Sequence, residues 1–253
     1  MDWLLKTPIT HRGLFDNRTI PENSLLAFEA SAKAGYPIEL DVRMLIDGQL
    51  AVFHDISLLR MTGQKGSILK KNSGELKQFH LLDTNETIPL LQETLELVSG
   101  RVPLLIEIKN RKRIGKLEYK LLSMLLKYKG EYAVESFNPW VVKWFSLNAP
   151  HIWRGQLSGG LGKGHIVLRN TLLRIAMLSK QSHPDFIAFD INHLPARAVT
   201  KLKAKGCPVI GYTAKSKEQF KQAMNYCDNV IFEGFVPSEK ENSGTARSKY
   251  KVR

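Results

Sequence analysis

Cysteine is almost absent. Cys207 and Cys227 are the whole supply in 253 residues, and neither stands in a Cys-x-x-Cys pair. That excludes a disulfide framework and a thiolate zinc site, and leaves two thiols to pack as small apolar side chains. Long apolar runs are missing too, so no segment reads as an uninterrupted membrane span. The opening Met1-Asp2-Trp3-Leu4-Leu5-Lys6 has neither an extended apolar stretch nor a cleavage signal. These deficits make a reduced, cytoplasmic setting the expectation. No glycine- or serine-rich linker divides the chain before about residue 238, so residues 1–238 read as one domain. Residues 239–253 are basic, carry almost nothing to bury, and read as a frayed tail. Acidic charge is the last shortage: 24 Asp and Glu against 37 Lys and Arg give a formal charge of +13. Such a surface attracts polyanions, anionic lipid or phosphorylated small molecules, and charge alone does not choose among them.

Short apolar runs alternate with amphipathic stretches along nearly the whole length, the pattern of βαβ units. Strand-like runs cover residues 8–11, 37–42, 103–108, 132–137, 152–157, 186–191, 208–213 and 229–233. A smaller run at 50–53 follows the Asp47-Gly48 turn and is expected to fold back on the second strand as a hairpin. Helical patterns lie at 24–34, 90–98, 116–129, 139–147, 195–205 and 216–224, with Gly35, Gly100, Gly130 and Gly206 placed to end four of them. Eight main strands in alternation with helices point to a closed (β/α)8 TIM barrel with a small hairpin insertion, rather than an open doubly wound sheet. The usual size of such a barrel is about 250 residues, and its chemistry sits where strands end and βα-loops begin.

Polar side chains gather at those strand ends. The first run finishes in His11-Arg12-Gly13. The second carries Glu39 and Asp41, two apart and so on one side of the strand. His54-Asp55 ends the hairpin, and Leu104-Leu105-Ile106-Glu107-Ile108-Lys109 puts Glu107 and Lys109 on one side. Carboxylates on apolar strands are costly without compensation. Glu39, Asp41 and Glu107 together make an oxygen cage suited to a hard divalent cation such as Mg²⁺ or Ca²⁺. The competing reading pairs Glu39 with Lys109 or Arg43 in an ordinary barrel ion pair. His11 and His54 flank the cluster, and histidine gives or takes protons near neutral pH. Arg12 adds a fork that matches phosphate oxygens. Cation, arginine, lysine and two proton-transfer groups together describe phosphoryl chemistry.

The ordered pieces resemble the glycerophosphodiester phosphodiesterase family. They are Thr10-His11-Arg12-Gly13, Pro21-Glu22-Asn23-Ser24, Glu39-Leu40-Asp41-Val42, Phe53-His54-Asp55, Leu59-Arg60-Met61-Thr62-Gly63, Ile88-Pro89-Leu90-Leu91-Gln92-Glu93, Ile106-Glu107-Ile108-Lys109 and Ser136-Phe137-Asn138. The family is a TIM barrel. The resemblance implies that His11 and His54 are the acid/base pair and that Glu39, Asp41 and Glu107 hold Ca²⁺ or Mg²⁺. It implies that Arg12 and Lys109 contact the phosphate or glycerol side of the substrate. It further implies a small-molecule partner and no nucleic acid: deacylated phospholipids such as glycerophosphocholine or glycerophosphoethanolamine, cleaved to sn-glycerol 3-phosphate and an alcohol. The family's seventh-strand Trp-Thr-Val-Asn is replaced here by Tyr212-Thr213-Ala214-Lys215, so Tyr212 becomes the aromatic wall expected against the alcohol head group. Glu22 and Asn23 are read as helix cap and support rather than catalysts.

Ser158-Gly159-Gly160-Leu161-Gly162-Lys163-Gly164 lacks the Gly-Lys-Ser/Thr ending of a phosphate loop and reads as a hinge. Residues 165–180, apolar over most of their circumference with basic side chains interspersed, read first as an outer barrel helix and second as a peripheral membrane-contact helix. Two other functions compete with the main one: a lysophospholipase D acting on the same bond of a monoacyl substrate, and a non-catalytic basic membrane- or polyanion-binding protein.

Overall fold

The computed structural model describes residues 2–110, 113–159 and 182–237. Among the described residues nine strands form: β1 (Ile9–His11), β2 (Ile38–Met44), β3 (Leu50–Val52), β4 (Leu104–Ile108), β5 (Tyr132–Ser136), β6 (Arg154–Ser158), β7 (Phe186–Asp190), β8 (Val209–Ala214) and β9 (Asn229–Phe232). They make one sheet in the order β1-β9-β8-β7-β6-β5-β4-β2-β3, and β1 also pairs with β2, so the sheet closes. The fold is a (β/α)8 TIM barrel of eight parallel strands with helices between them. The ninth strand, β3, is the antiparallel partner of β2, with Val42 opposite Val52 and Met44 opposite Leu50. Gly48, at a φ of +82°, makes the intervening turn, as the Asp47-Gly48 pair predicts.

The chain divides into two compact units, Thr10–Val134 and Met1–Ile9 with Glu135–Arg253. In the first, β2 is buried along almost its whole length, which is why its sequence reads as a continuous run. Parallel pairing sets Thr10 beside Ile38 and His11 beside Glu39, and sets Asp41 beside Glu107 on the other flank. Ser24 caps helix Leu25–Lys33 by accepting from the Ala27 N–H. The stretch after β3 buries a core of its own, including Leu58, Met61, Ile68, Leu76 and Phe79, and so fixes the short helix Leu59–Thr62.

Helix Lys116–Leu125 stops four residues short of the expected end. Gly130 is not its cap: a Cβ there would meet the Tyr128 ring at 2.5 Å, so this glycine serves close approach. The Tyr128 hydroxyl in turn accepts from the Gly100 N–H at 2.9 Å. Gly35, Gly100 and Gly206 do take the left-handed conformation expected of helix stops.

In the second unit, Pro139–Asn148, Arg197–Ala204 and Lys217–Met224 form where the 3.6-residue patterns lie, and Asn138 and Ser216 cap the first and last of these. A one-turn helix, Trp3–Lys6, is too short to announce itself by period. Asn229 holds it, its Nδ2 donating to the carbonyls of Leu4 (2.9 Å) and Thr7 (2.7 Å). Most of the glycine turn, the 165–180 segment and the basic tail lie outside the described residues.

Asn229→Ala strips these two carbonyls of a donor. It should lower the unfolding free energy by about 1–3 kcal/mol, read as a shift in urea midpoint at unchanged m-value.

Candidate active site

His11 ends β1, Arg12 follows it, Glu39 and Asp41 lie in β2, Glu107 lies near the end of β4 with Lys109 just beyond, and His54 follows β3, all within the Thr10–Val134 unit. Ligand oxygens of Glu39, Asp41 and Glu107 lie within 4.8 Å of one another, and all three residues are buried. Among the described residues this is the one group of three or more His, Cys, Asp or Glu side chains found to converge so. Asp41 is paired with Arg12 Nε at 3.1 Å and Lys109 Nζ at 3.0 Å. Glu107 takes the same ammonium at 2.7 Å. Glu39 Oε2 accepts the Arg12 backbone N–H at 3.1 Å and lies 3.9 Å from His11 Nε2. Asn23 Nδ2 donates to Asp41 Oδ2 at 2.8 Å.

Burial and charge pull the two facing carboxylates apart. Burial raises the Asp41 carboxyl, but Lys109 and Arg12 outweigh it and hold the group well below the usual range. Burial pushes Glu107 up to about 7, with the Asp41 charge adding to it and Lys109 opposing it. The three converging groups are all buried carboxylates, and their donor atoms are all oxygen. The residues present therefore fit a hard divalent cation.

His54 is held by Asp55, whose Oδ1 lies 2.8 Å from Nδ1. Its ring is driven toward the neutral form by burial, against the pull of Asp41. Arg43 donates to the His54 carbonyl through Nε at 3.0 Å and through Nη2. Arg12 sits at a φ of +57° with Gly13 following at +85°. A Cβ at Gly13 would come within 2.8 Å of the Ala27 backbone, so only glycine lets this turn press on helix Leu25–Lys33.

Three supporting residues were weaker in the sequence. Glu22 and Asn23 read as cap and support, yet Ser24 is the cap. Glu22 instead binds two guanidinium groups, those of Arg12 (2.7 Å) and Arg60 (2.6 Å). Arg60 carried no signal beyond its place in the Leu59–Gly63 motif. Lys109, expected at the substrate, stands between Asp41 and Glu107. Tyr212 lies on β8 in the other unit, edge-on to Phe137 with ring centroids 6.2 Å apart.

Residues 11–235 match the model of the Glycerophosphoryl diester phosphodiesterase family. A glycerophosphodiester phosphodiesterase of Bacillus altitudinis is 30% identical over 237 residues, 89% of this chain and 93% of the relative. One from Caldanaerobacter subterraneus subsp. tengcongensis is 31% identical over 227 residues, covering 85% and 88%. Among solved structures, an Oleispira antarctica phosphodiesterase in complex with the product sn-glycerol-3-phosphate matches at a TM-score of 0.77, with 23% identity and coverage of 91% and 93%. That likeness shows the fold. A glycerophosphodiester phosphodiesterase from Thermotoga maritima gives 0.70 at 26% identity over 89% and 93%. The chain belongs to the glycerophosphoryl diester phosphodiesterase family and is an enzyme of that class.

The raised Glu107 carboxyl has a signed effect on stability. In the unfolded chain it ionises near 4.5, in the fold at about 7, so its contribution is full below 4.5 and lost as pH rises through 7. In EDTA-treated protein, Glu107→Gln should therefore gain in melting temperature relative to wild type between about pH 5 and about pH 8. A constant difference across that series would contradict the assignment.

Proposed function

We propose that the chain hydrolyses glycerophosphodiesters, deacylated phospholipids such as glycerophosphocholine or glycerophosphoethanolamine, to sn-glycerol 3-phosphate and an alcohol. The observation that carries this reading is the convergence of three buried carboxylates on one spot, with Arg12 and His11 beside them. The product named for the Oleispira antarctica structure supports the substrate class. Glu39, Asp41 and Glu107 are the residues that would hold a divalent cation, Ca²⁺ or Mg²⁺. When bound, such an ion supplies positive charge to the phosphoryl oxygens and orients the substrate.

The remaining steps belong to side chains. Arg12 and Lys109 offset charge growing on the phosphoryl group. His11 and His54 divide the proton work, one deprotonating the nucleophile and the other protonating the departing alkoxide. Asp55 at Nδ1 leaves His54 Nε2 directed to that task. Tyr212 is assigned to the alcohol head group, where an aromatic face suits a quaternary ammonium. We read residues 1–238 as one catalytic domain working in the cytoplasm. No helix among the described residues is long and apolar enough to cross a membrane.

His11→Ala and His54→Ala should each lower turnover by roughly 10²–10⁴-fold while melting like wild type. Near-normal turnover in either variant would sink the acid/base assignment. EDTA should abolish release of glycerol 3-phosphate from glycerophosphocholine, and added Ca²⁺ or Mg²⁺ should restore it. Running lysophosphatidylcholine beside glycerophosphocholine tests the substrate class, because faster cleavage of the acylated substrate would overturn it.

A further inference from the structure

Arg60 lies outside the strands, on helix Leu59–Thr62, and the proposed chemistry makes no use of it. Its guanidinium nonetheless has all three nitrogens engaged. Nη2 and Nη1 clasp Glu22 at 2.6 Å and 2.8 Å, while Nε donates to Asp55 Oδ2 at 2.6 Å. The other Asp55 oxygen is the one at His54 Nδ1. Glu22 is a firm anchor because it is buried and also binds Arg12. Arg60 itself is 46% exposed in its side chain. Exposed ion pairs contribute little to stability, so the Arg60–Asp55 contact, between two partly exposed side chains, calls for another account.

We propose that Arg60 is a positioning residue that sets His54 through Asp55. Asp55 is bonded on both oxygens, one by Arg60 and one by the imidazole, so it cannot rotate away without breaking both. The imidazole is then held by Nδ1 and presents Nε2 to the reacting groups. A planar fork suits this arrangement, because it spans two carboxylates on separate segments while keeping a fixed angle between them. A lysine supplies the charge but not the span. The inference rests on the reading of His54 as a proton-transfer group.

The test is a comparison of kcat in two backgrounds. Arg60→Ala should lower kcat about 10–100-fold, the range for removing the partner of a functional histidine, with KM for glycerophosphocholine changed far less. Arg60→Lys should recover only part of the loss. Guanidinium ion, added below denaturing concentration, should raise kcat of Arg60→Ala. In a His54→Ala background, assayed on the same glycerophosphocholine at high enzyme concentration, Arg60→Ala should have little further effect and guanidinium none. An equal fold-loss in both backgrounds means that Arg60 only braces the fold, and it overturns the proposal. If His54→Ala keeps near-normal turnover, the acid/base reading fails instead, and the two failures are told apart. Should Arg60→Ala not fold, Arg60→Lys goes through the same comparison.

Discussion

Withdrawing three carboxylates from water at the ends of two neighbouring strands is the constraint around which this molecule is arranged. Left alone, Glu39, Asp41 and Glu107 would destabilise the barrel, because buried like charges repel and forgo hydration. The fold answers with groups from the adjoining turns. Lys109 leaves β4 two residues beyond Glu107 and reaches back between it and Asp41. Arg12 leaves β1 and turns its backbone N–H to Glu39 and its Nε to Asp41. Asn23 fills a further lone pair of Asp41. Strand register comes first in this order of dependence: Asp41 faces Glu107 because Ile38 faces Leu104.

Around the carboxylates runs a second layer of alternating charge. Arg12, Glu22, Arg60 and Asp55 follow one another through ion pairs, and the series ends on His54. Glu22 lies between two guanidinium groups and Asp55 between a guanidinium and the imidazole, which limits the repulsion that a one-sign cluster would bring. The alternative of an ordinary barrel ion pair is therefore half present. Lys109 does pair with barrel carboxylates, those of Asp41 and Glu107, and Arg43 donates to the carbonyl of His54. The groups that pair with Lys109 and Arg12 are also the ones whose oxygens converge.

Much of this was legible in the chain, for reasons that differ by residue. Strands announced themselves because parallel barrel strands are buried on both faces, so β2 and β4 read as apolar runs and their acidic residues stand out against them. Glu39 and Asp41 had to share a face by the two-residue period alone. What stayed hidden has no period. Arg60 lies 38 positions from Glu22 on a four-residue helix, and only the packing of the insertion brings the two together. The Gly130 reading failed because helix-stop glycines and close-approach glycines look alike in sequence, and the neighbouring Tyr128 ring decides between them. Glu22 and Asn23 were placed correctly beside the helix start, but their partners lie on other elements.

The turn at Arg12-Gly13 ties the geometry around the carboxylates to a helix some distance along the chain. Gly13 is wedged against the Ala27 backbone, so any side chain at that one position would push helix Leu25–Lys33 and the turn apart. Because the Arg12 N–H and guanidinium leave from the same turn toward Glu39 and Asp41, the missing methyl group at Gly13 works as a gauge: it sets how near Arg12 stands to those two carboxylates.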